Sequence, residues 1–414
     1  MKNNTISKIS IFIPFYISLI IGFFLNENSS YGALIDYQHH LKIILELKKN
    51  VFNTLKNYNN FNTDHSPLLL IILSIIYTLV DSETLMRLFY LHFCLLLPLF
   101  FYLCIKKKFK KEKENYLFLF SCVIFVSPYF RSLSIWPGDE IISLIFFTLS
   151  IFFYLKFKDY DYYSFTYVIL NIFFLALAAY FRPIYSLFSI YFFYNFFTYY
   201  NFSVKIIIII FLYLILSLPA FYFLFFINNF IFFHSNNLSI NISNKIIIIS
   251  TILFFYMIPF ILNIIKFLPN IINKIQNIKF LSVFAIFFII NIYFFDFALN
   301  NQDYGGGFFF KASNYFFNNN VFLYIAFFFS LLLLYNLILI NIINHLLIIL
   351  VLFFFSPVNY VYNEYYEPLF LFLLFTLFDN KVFLNYFNKI QNLIYLYIFY
   401  FFVYIFHIFR NFIL

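Results

Sequence analysis

Apolar runs separated by short polar breaks make up most of the chain. Most of these runs contain about 15 to 25 residues, the length that an α-helix needs to cross a bilayer. Polar and apolar residues do not alternate within them, as they would in a membrane β-barrel. The pattern therefore predicts an all-α, polytopic membrane protein.

With the amino terminus in the cytoplasm, the pattern predicts about thirteen transmembrane helices in a single domain that covers 1–414. The predicted ranges are 8–25, 85–105, 116–131, 140–156, 163–180, 184–200, 205–228, 246–265, 280–298, 319–340, 344–358, 366–379 and 391–409.

One apolar run, 67–80, is left out of the spans. Its 14 residues rise only about 21 Å as a helix, less than the roughly 30 Å hydrocarbon core. If it spanned the membrane, the lysines of 106–113 would face outward, against the positive-inside rule. The first outer segment is therefore predicted to run from 26 to 84.

This first outer segment is predicted to contain two juxtamembrane helices. Over 36–55, apolar residues such as Tyr37, Leu41 and Ile44 recur at helical spacing, as in a helix that lies in the headgroup plane. The second helix, 67–80, is started by Pro67 in its first turn. Together the two helices would cover the outer face of the bundle.

Composition narrows the class further. Hydrophobic residues make up 64% and charged residues only 10% of the 414 residues, too few charges for a water-soluble surface. Soluble enzymes and nucleic-acid-binding proteins are excluded. The net charge of +9 lies mostly in the breaks between runs, where it sets orientation. The three cysteines lack metal or redox spacing.

Asp36, in the segment YGALIDYQHH (31–40), is the first candidate for chemistry. It opens the predicted surface helix, where an acid could simply favour the helix dipole. As the functional alternative, a carboxylate held against apolar groups at the membrane surface is partly desolvated and can act as a general base.

The outer loop RSLSIWPGDE (131–140) is the second candidate. Asp139 and Glu140 either cap the following helix or take part in catalysis. Trp136 is the single tryptophan of the chain. An aromatic face beside two carboxylates can hold a sugar ring, although Trp also anchors helices at interfaces.

Arg131 and Arg182 each end a long apolar run on the predicted outer side, where the positive-inside rule disfavours them. They could snorkel to lipid headgroups. Alternatively, a guanidinium at headgroup depth can hold a lipid phosphate as bound donor and as leaving group.

Weaker candidates remain in two segments. His39, His40 and His65 share the first loop with Asp36 and Asp64, and the spacing of Asp36, His39 and His40 predicts one common helix face. A divalent-cation site there is the less favoured alternative, and no metal or other cofactor is expected. In NEYYEP (363–368), Glu367 either binds the acceptor or caps a helix.

The order of these features resembles the GT-C superfamily of integral-membrane glycosyltransferases. Its members include protein O-mannosyltransferases, the aminoarabinose transferase of lipid A and the dolichol-pathway sugar transferases. The resemblance rests on the first span, the outer loop with its acid, and the second juxtamembrane helix DHSPLLLIILSIIY (64–77), followed by a span with Arg87. His65 and Pro67 match the His-Pro-Pro-Leu-like start of that helix in many members. The resemblance covers about 15–190 and is topological beyond it.

The resemblance implies sugar transfer from a polyprenyl-phosphate carrier on the outer or luminal face, usually with inversion. Asp36 would be the base or would position the acceptor, and Asp139 or Glu140 would support it. Arg182 of FRPIY (181–185) would hold the carrier phosphate. Several members carry an acidic pair in loop one, whereas Tyr37 follows Asp36 here.

The predicted function is therefore sugar transfer from a polyprenyl-phosphate donor to a glycan, lipid or protein acceptor, at the periplasmic face of a bacterial inner membrane. Membrane lipids are the other expected partners. A flippase or other transporter is the first alternative; it would place charges within spans and often show repeats. A polysaccharide polymerase or ligase is the second.

Overall fold

A computed structural model gives the structure of the protein. It describes residues 2–30, 32–63, 65–159, 164–228, 241–261, 263, 278–297, 305–356, 361–379, 383 and 386–413. Asp64 and residues 299–304, in the break between the predicted spans 280–298 and 319–340, lie outside the described residues. The described residues are helical and contain no strand, which confirms the all-α class.

The chain forms two compact units, 1–235 with 387–414 and 236–386. That these units act as one domain stays a prediction. The helices of the first unit are α1 (Lys2–Phe24), α2 (Gly32–Lys49), α3 (Val51–Lys56), α4 (Pro67–Val80), α5 (Glu83–Cys94), α6 (Leu96–Lys108), α7 (Glu114–Cys122), α8 (Pro128–Ile135), α9 (Asp139–Asp159), α10 (Phe165–Phe181), α11 (Phe188–Tyr200), α12 (Val204–Tyr222) and, after the second unit, α19 (Ile390–Ile413).

The second unit contains α13 to α18. These are α13 (Ile242–Met257), α14 (Ile278–Tyr293), α15 (Gly307–Phe317), α16 (Val321–Ile340), α17 (Ile342–Phe354) and α18 (Leu369–Thr376). Within this unit α13 packs against α15 and α16.

Seven helices or helix pairs in the described part of the chain are long and apolar enough to cross a membrane, by length and composition. An eighth is added if a bent helix pair, 114–126 with 128–135, counts as one span. The seven are Ser7–Phe24, Glu83–Lys108, Asp139–Asp159, Val204–Ile227, Ile242–Phe260, Val321–Ile340 and Ile390–Phe409. They fit an integral membrane protein, whereas the predicted count of about thirteen is not confirmed.

The difference arises where predicted spans fold as shorter helices. The predicted span 163–180 is the 17-residue α10, and 344–358 is the 13-residue α17. The span 184–200 becomes a short 3-10 turn started by Pro183 and then α11, and 366–379 contains only the 8-residue α18. At 1.5 Å per residue, helices of 13 residues or fewer rise about 20 Å at most, too little to cross alone.

The predicted span 116–131 is bent rather than straight. α7 passes through a short 3-10 segment and ends before Pro128, where α8 starts at an angle of 67°. The Ser127 side chain accepts a hydrogen bond from the Phe130 amide and so caps α8. Pro128 is favoured at the first position of a helix and is incompatible with the middle of one, which explains the break.

The first outer segment folds close to its prediction. α4 covers 67–80 as predicted, with Ser66 as its N-cap and Pro67 in its first turn. The first helix, predicted as 36–55, instead begins at Gly32 and is split, because Asn50 ends α2 and caps α3. α2 packs against α4.

α9 lies at the centre of the first unit and packs against α6 and α10. Its apolar side chains are buried by rings such as Phe147 against Phe188, whose centroids are 4.4 Å apart. The amino end of α9 carries Asp139 and Glu140. This packing fixes the position of both acids.

Candidate functional site

The candidate site begins at the turn between α8 and α9, which contains Gly138. Its Gly138 carbonyl accepts a hydrogen bond from the buried Tyr90 hydroxyl at 2.5 Å. A Cβ atom on Gly138 would lie 2.5 Å from Glu140 Oε2 and 3.1 Å from Leu133 Cδ2. Only glycine therefore leaves room for the Glu140 carboxylate in its observed position.

Asp139 and His65 form a pair in which the Asp139 side chain is buried and the His65 side chain is half-buried. His65 Nδ1 lies 3.1 Å from Asp139 Oδ2, and Asp139 is only 4% exposed. Because an ionised carboxylate can only accept, Nδ1 of His65 carries the proton in this contact. Among the described residues, Asp139 Oδ1 has no hydrogen-bond partner.

The loop before α4 holds His65 in place. Tyr58 donates a hydrogen bond to the His65 carbonyl at 3.1 Å, and the His65 amide donates to Thr63 Oγ1 at 3.2 Å. The Ser66 cap then starts α4. The sequence predicted His65 as a site residue, and the structure pairs it with a predicted catalytic acid.

His40 of α2 completes this cluster. Its ring meets the His65 ring edge-on, with centroids 4.6 Å apart, and His40 is 2% exposed. Burial is the main cause that lowers the pKa of His40 to about 3, with the His65 ring acting in the same direction. The Asp139 carboxylate and the Pro137 carbonyl raise that pKa but are outweighed. His40 is therefore neutral at physiological pH.

Arg182 and Glu140 form the second ion pair at this end of α9. Arg182 Nη1 lies 2.7 Å from Glu140 Oε1, and both side chains are largely buried. Arg182 follows the last residue of α10, and Pro183 starts the next turn. The Arg182 charge also acts on Asp139. His65, Asp139, Glu140 and Arg182 thus meet in one place. Each is a candidate from the sequence, and its role stays a prediction.

Trp136 is buried rather than open to a ligand. The Arg87 guanidinium lies 3.6 Å from the centre of its ring, and the Tyr37 ring is 5.6 Å away. Its Nε1–H donates to the Glu27 carbonyl at 2.9 Å. Because a guanidinium already covers the ring, Trp136 shapes the site wall in this structure, and sugar stacking on it stays a prediction.

Arg87 is the residue whose role the sequence did not suggest. Its Nε donates to the Ile135 carbonyl at 3.1 Å, and both terminal nitrogens lie 3.4 Å from Asn26 Oδ1. Beside it, the Tyr37 hydroxyl donates to Glu83 at 3.1 Å; burial, with the Glu83 charge, raises the pKa of Tyr37. The available signal was an arginine inside an apolar run.

Arg131 lies in a separate pair with Glu27. Its guanidinium donates to both Glu27 carboxylate oxygens, to the Ser18 hydroxyl and carbonyl, and to the Phe125 carbonyl. All five N–H donors are used within the protein. A Cβ atom on Gly22 would lie 2.3 Å from Glu27 Oε2, so this pair also needs a glycine beside it. The geometry favours a structural role over the predicted phosphate contact.

Asp36 does not lie at the helix start that the sequence predicted, since α2 begins at Gly32. No helix-breaking residue separates Gly32 from Asp36, so the helix starts a turn earlier. Asp36, His39 and His40 all lie on α2, but they differ in burial: His40 is buried, whereas Asp36 and His39 are exposed. Asp36 is nevertheless one turn from His40.

Glu367 belongs to the second unit. It is 2% exposed, and the Tyr256 hydroxyl of α13 donates to its Oε2 at 2.5 Å. Its predicted role in acceptor binding is untested. In the part of the chain that the structure describes, no three His, Cys, Asp or Glu side chains are arranged to hold a metal ion.

Comparison with known proteins adds no identification, since no family, curated protein or solved structure matches the chain.

Proposed function

We propose that the protein is an integral-membrane glycosyltransferase of the GT-C type. It would transfer a sugar from a polyprenyl-phosphate donor to a glycan, lipid or protein acceptor at the periplasmic face of a bacterial inner membrane. One observation carries the proposal: the side chains of His65, Asp139, Glu140 and Arg182 come from three distant segments and meet at the amino end of α9. The proposed topology keeps the first outer segment and this end of α9 outside.

The reaction would be a single displacement at the anomeric carbon. The acceptor oxygen forms the new C–O bond, the bond from that carbon to the lipid phosphate breaks, and the acceptor proton passes to a carboxylate. Arg182 would stabilise the charge that develops on the departing phosphate. Glu140 holds the Arg182 guanidinium in position for this contact.

Asp36 is proposed as the carboxylate that takes the proton. It is exposed on α2, so an acceptor hydroxyl can reach it, whereas Asp139 is buried. Residues at i and i+4 of a helix lie about 6 Å apart, which places Asp36 one turn from His40 and the buried cluster. His65 and Asp139 would position the donor side of the site.

A donor panel tests this function. Purified protein is given polyprenyl-phosphate sugars with an acceptor, and release of the free lipid phosphate is measured. Proton removal by a positioned base contributes about 10²–10⁴ in rate, so Asp36→Asn is expected to lose about that much turnover. Glu46→Gln, an exposed acid on the same helix, is the matched control and should retain wild-type turnover. Equal activity of Asp36→Asn and wild type would rule out this base.

Transport of a lipid-linked sugar is the second candidate. Arg87, Arg131 and Asp139 are buried charged residues in or at the ends of apolar helices, a feature that transporters share. Proteoliposomes separate the two functions, because a flippase moves the intact lipid-linked sugar between leaflets and releases no lipid phosphate. Repeated sugar addition to one acceptor would instead identify a polymerase.

A further inference from the structure

The opposite end of α9 carries a dense group of lysines. Two carboxylates there each bind two lysines: Glu114 accepts from Lys8 at 2.6 Å and pairs with Lys106 at 2.7 Å. Asp159, the last residue of α9, pairs with Lys107 and Lys110. These contacts join α1 and the start of α7 to the carboxyl end of α6, and that end of α6 to the carboxyl end of α9.

Positive charge remains after these pairs are formed. The group, here called the lysine cluster, has nine lysines against the three acids Glu112, Glu114 and Asp159, a surplus of six positive charges. Its lysines are Lys8, Lys106, Lys107, Lys108, Lys110, Lys111, Lys113, Lys156 and Lys158.

Three members of the cluster are suited to bind an external anion. No carboxylate of the described residues forms an ion pair with Lys111, Lys113 or Lys156. Lys111 and Lys113 are exposed, and Lys156 is half-buried with its ammonium 4.6 Å from the Phe152 ring centre. Mutual repulsion among so many ammonium groups would be relieved by a bound anion.

The position of the cluster indicates where that anion comes from. Its lysines occupy the last turns of α6 and α9 and the turn before α7, so they follow directly on helices apolar enough to span a membrane. Aromatic rings of Tyr102 and Tyr116 lie beside the ammonium groups of Lys8 and Lys113, as at a membrane interface. These positions are the ones expected of a cluster at headgroup depth.

We infer that the lysine cluster binds the phosphate headgroups of anionic membrane lipids. Several adjacent lysines next to a membrane span attract such lipids, and a headgroup held at this depth also keeps its acyl chains against the apolar helix surfaces. A soluble phosphate would gain only the electrostatic attraction to the lysines, without the contacts of the acyl chains. This site is independent of the proposed transferase reaction.

Native mass spectrometry of the detergent-solubilised protein tests the inference, with cardiolipin and phosphatidylcholine as probes. Lys111, Lys113 and Lys156 are changed together to Gln, and cardiolipin affinity is expected to fall by about tenfold or more. The control changes Lys42, Lys49 and Lys56 of α2 and α3 to Gln; it removes the same charge and should retain wild-type affinity. A second triple variant, Lys111→Arg with Lys113→Arg and Lys156→Arg, keeps the charge and should bind cardiolipin as the wild type does.

Any of these results would overturn the inference: wild-type affinity in the Gln variant, an equal loss in the control, a loss in the Arg variant, or equal binding of phosphatidylcholine. Millimolar pyrophosphate is added as the soluble-phosphate arm. It is expected to displace no more cardiolipin than sodium chloride of equal ionic strength, and greater displacement would show that the site takes soluble anions instead.

Discussion

At the scale of single residues, His40 should make stability depend on pH. Its folded-state pKa of about 3 lies below the unfolded value of about 6.5, so between these values the unfolded chain binds the proton and the folded chain does not. The contribution of His40 to stability is therefore constant well above pH 6.5 and falls by up to about 1.4 kcal/mol per pH unit below it.

Thermal unfolding in detergent between pH 7 and pH 5 measures this effect. His40→Gln should flatten the decline, because Gln does not titrate. His39→Gln, at the exposed neighbouring position, should leave the wild-type profile unchanged. The same slope in wild type and His40→Gln would show that another group causes the acid sensitivity.

The Glu27–Arg131 pair should be a second residue-scale determinant of stability. Both side chains are mostly buried, so Glu27→Gln leaves the Arg131 charge without its counter-ion. Such a loss costs about 3–5 kcal/mol. Glu46→Gln, which breaks the exposed Glu46–Lys49 pair, should cost less than about 1 kcal/mol. Similar melting temperatures for the two variants would contradict a structural role for Arg131.

At the scale of elements, the Ser66 cap should be needed to place His65. Ser66 Oγ accepts a hydrogen bond from the Leu68 amide and starts α4. Ser66→Ala is expected to destabilise the protein by about 1 kcal/mol, measured by thermal unfolding. Ser66→Thr keeps the hydroxyl and should recover most of that loss. If Ser66→Ala melts like the wild type, the cap does not fix the start of α4.

Local signals in the sequence were enough to predict some elements. The bounds predicted for α4 match the observed ones because Pro67 marks the start of the helix. Signals of the same kind are present at two other positions. Asn50 splits the first juxtamembrane helix, and Pro128 bends the predicted span 116–131. Hydropathy alone does not reveal such breaks, which is also why several predicted spans are longer than the helices observed there.

Contacts between residues far apart in the sequence were the hardest feature to predict. The sequence offered His65, Asp139, Glu140 and Arg182 as candidates, His65 through the family resemblance and the others through their positions in predicted outer loops. It could not reveal that Arg131 bonds to Glu27, 104 residues earlier, instead of facing a ligand. Because His40 is buried and Asp36 is exposed, His40 rather than Asp36 contacts the cluster.

At the scale of the whole molecule, the proposed orientation can be mapped with single cysteines. The native Cys94, Cys104 and Cys122 are all buried, so they give little background labelling. Phe52→Cys, at a position 88% exposed in the first outer segment, should react with a membrane-impermeant maleimide on intact cells. Lys111→Cys should react only after permeabilisation. The reverse pattern would place the lysine cluster outside and invert the proposed topology.

The most direct test of the central claim compares the two ends of α9 in one assay. Release of lipid phosphate from polyprenyl-phosphate sugars is measured for wild type, Asp139→Asn and Asp159→Asn. Wild type and Asp159→Asn are expected to release it at similar rates, and Asp139→Asn about a hundredfold more slowly, because only Asp139 lies in the proposed site. No release by folded wild-type protein from any donor, or equal release by all three proteins, would contradict the account.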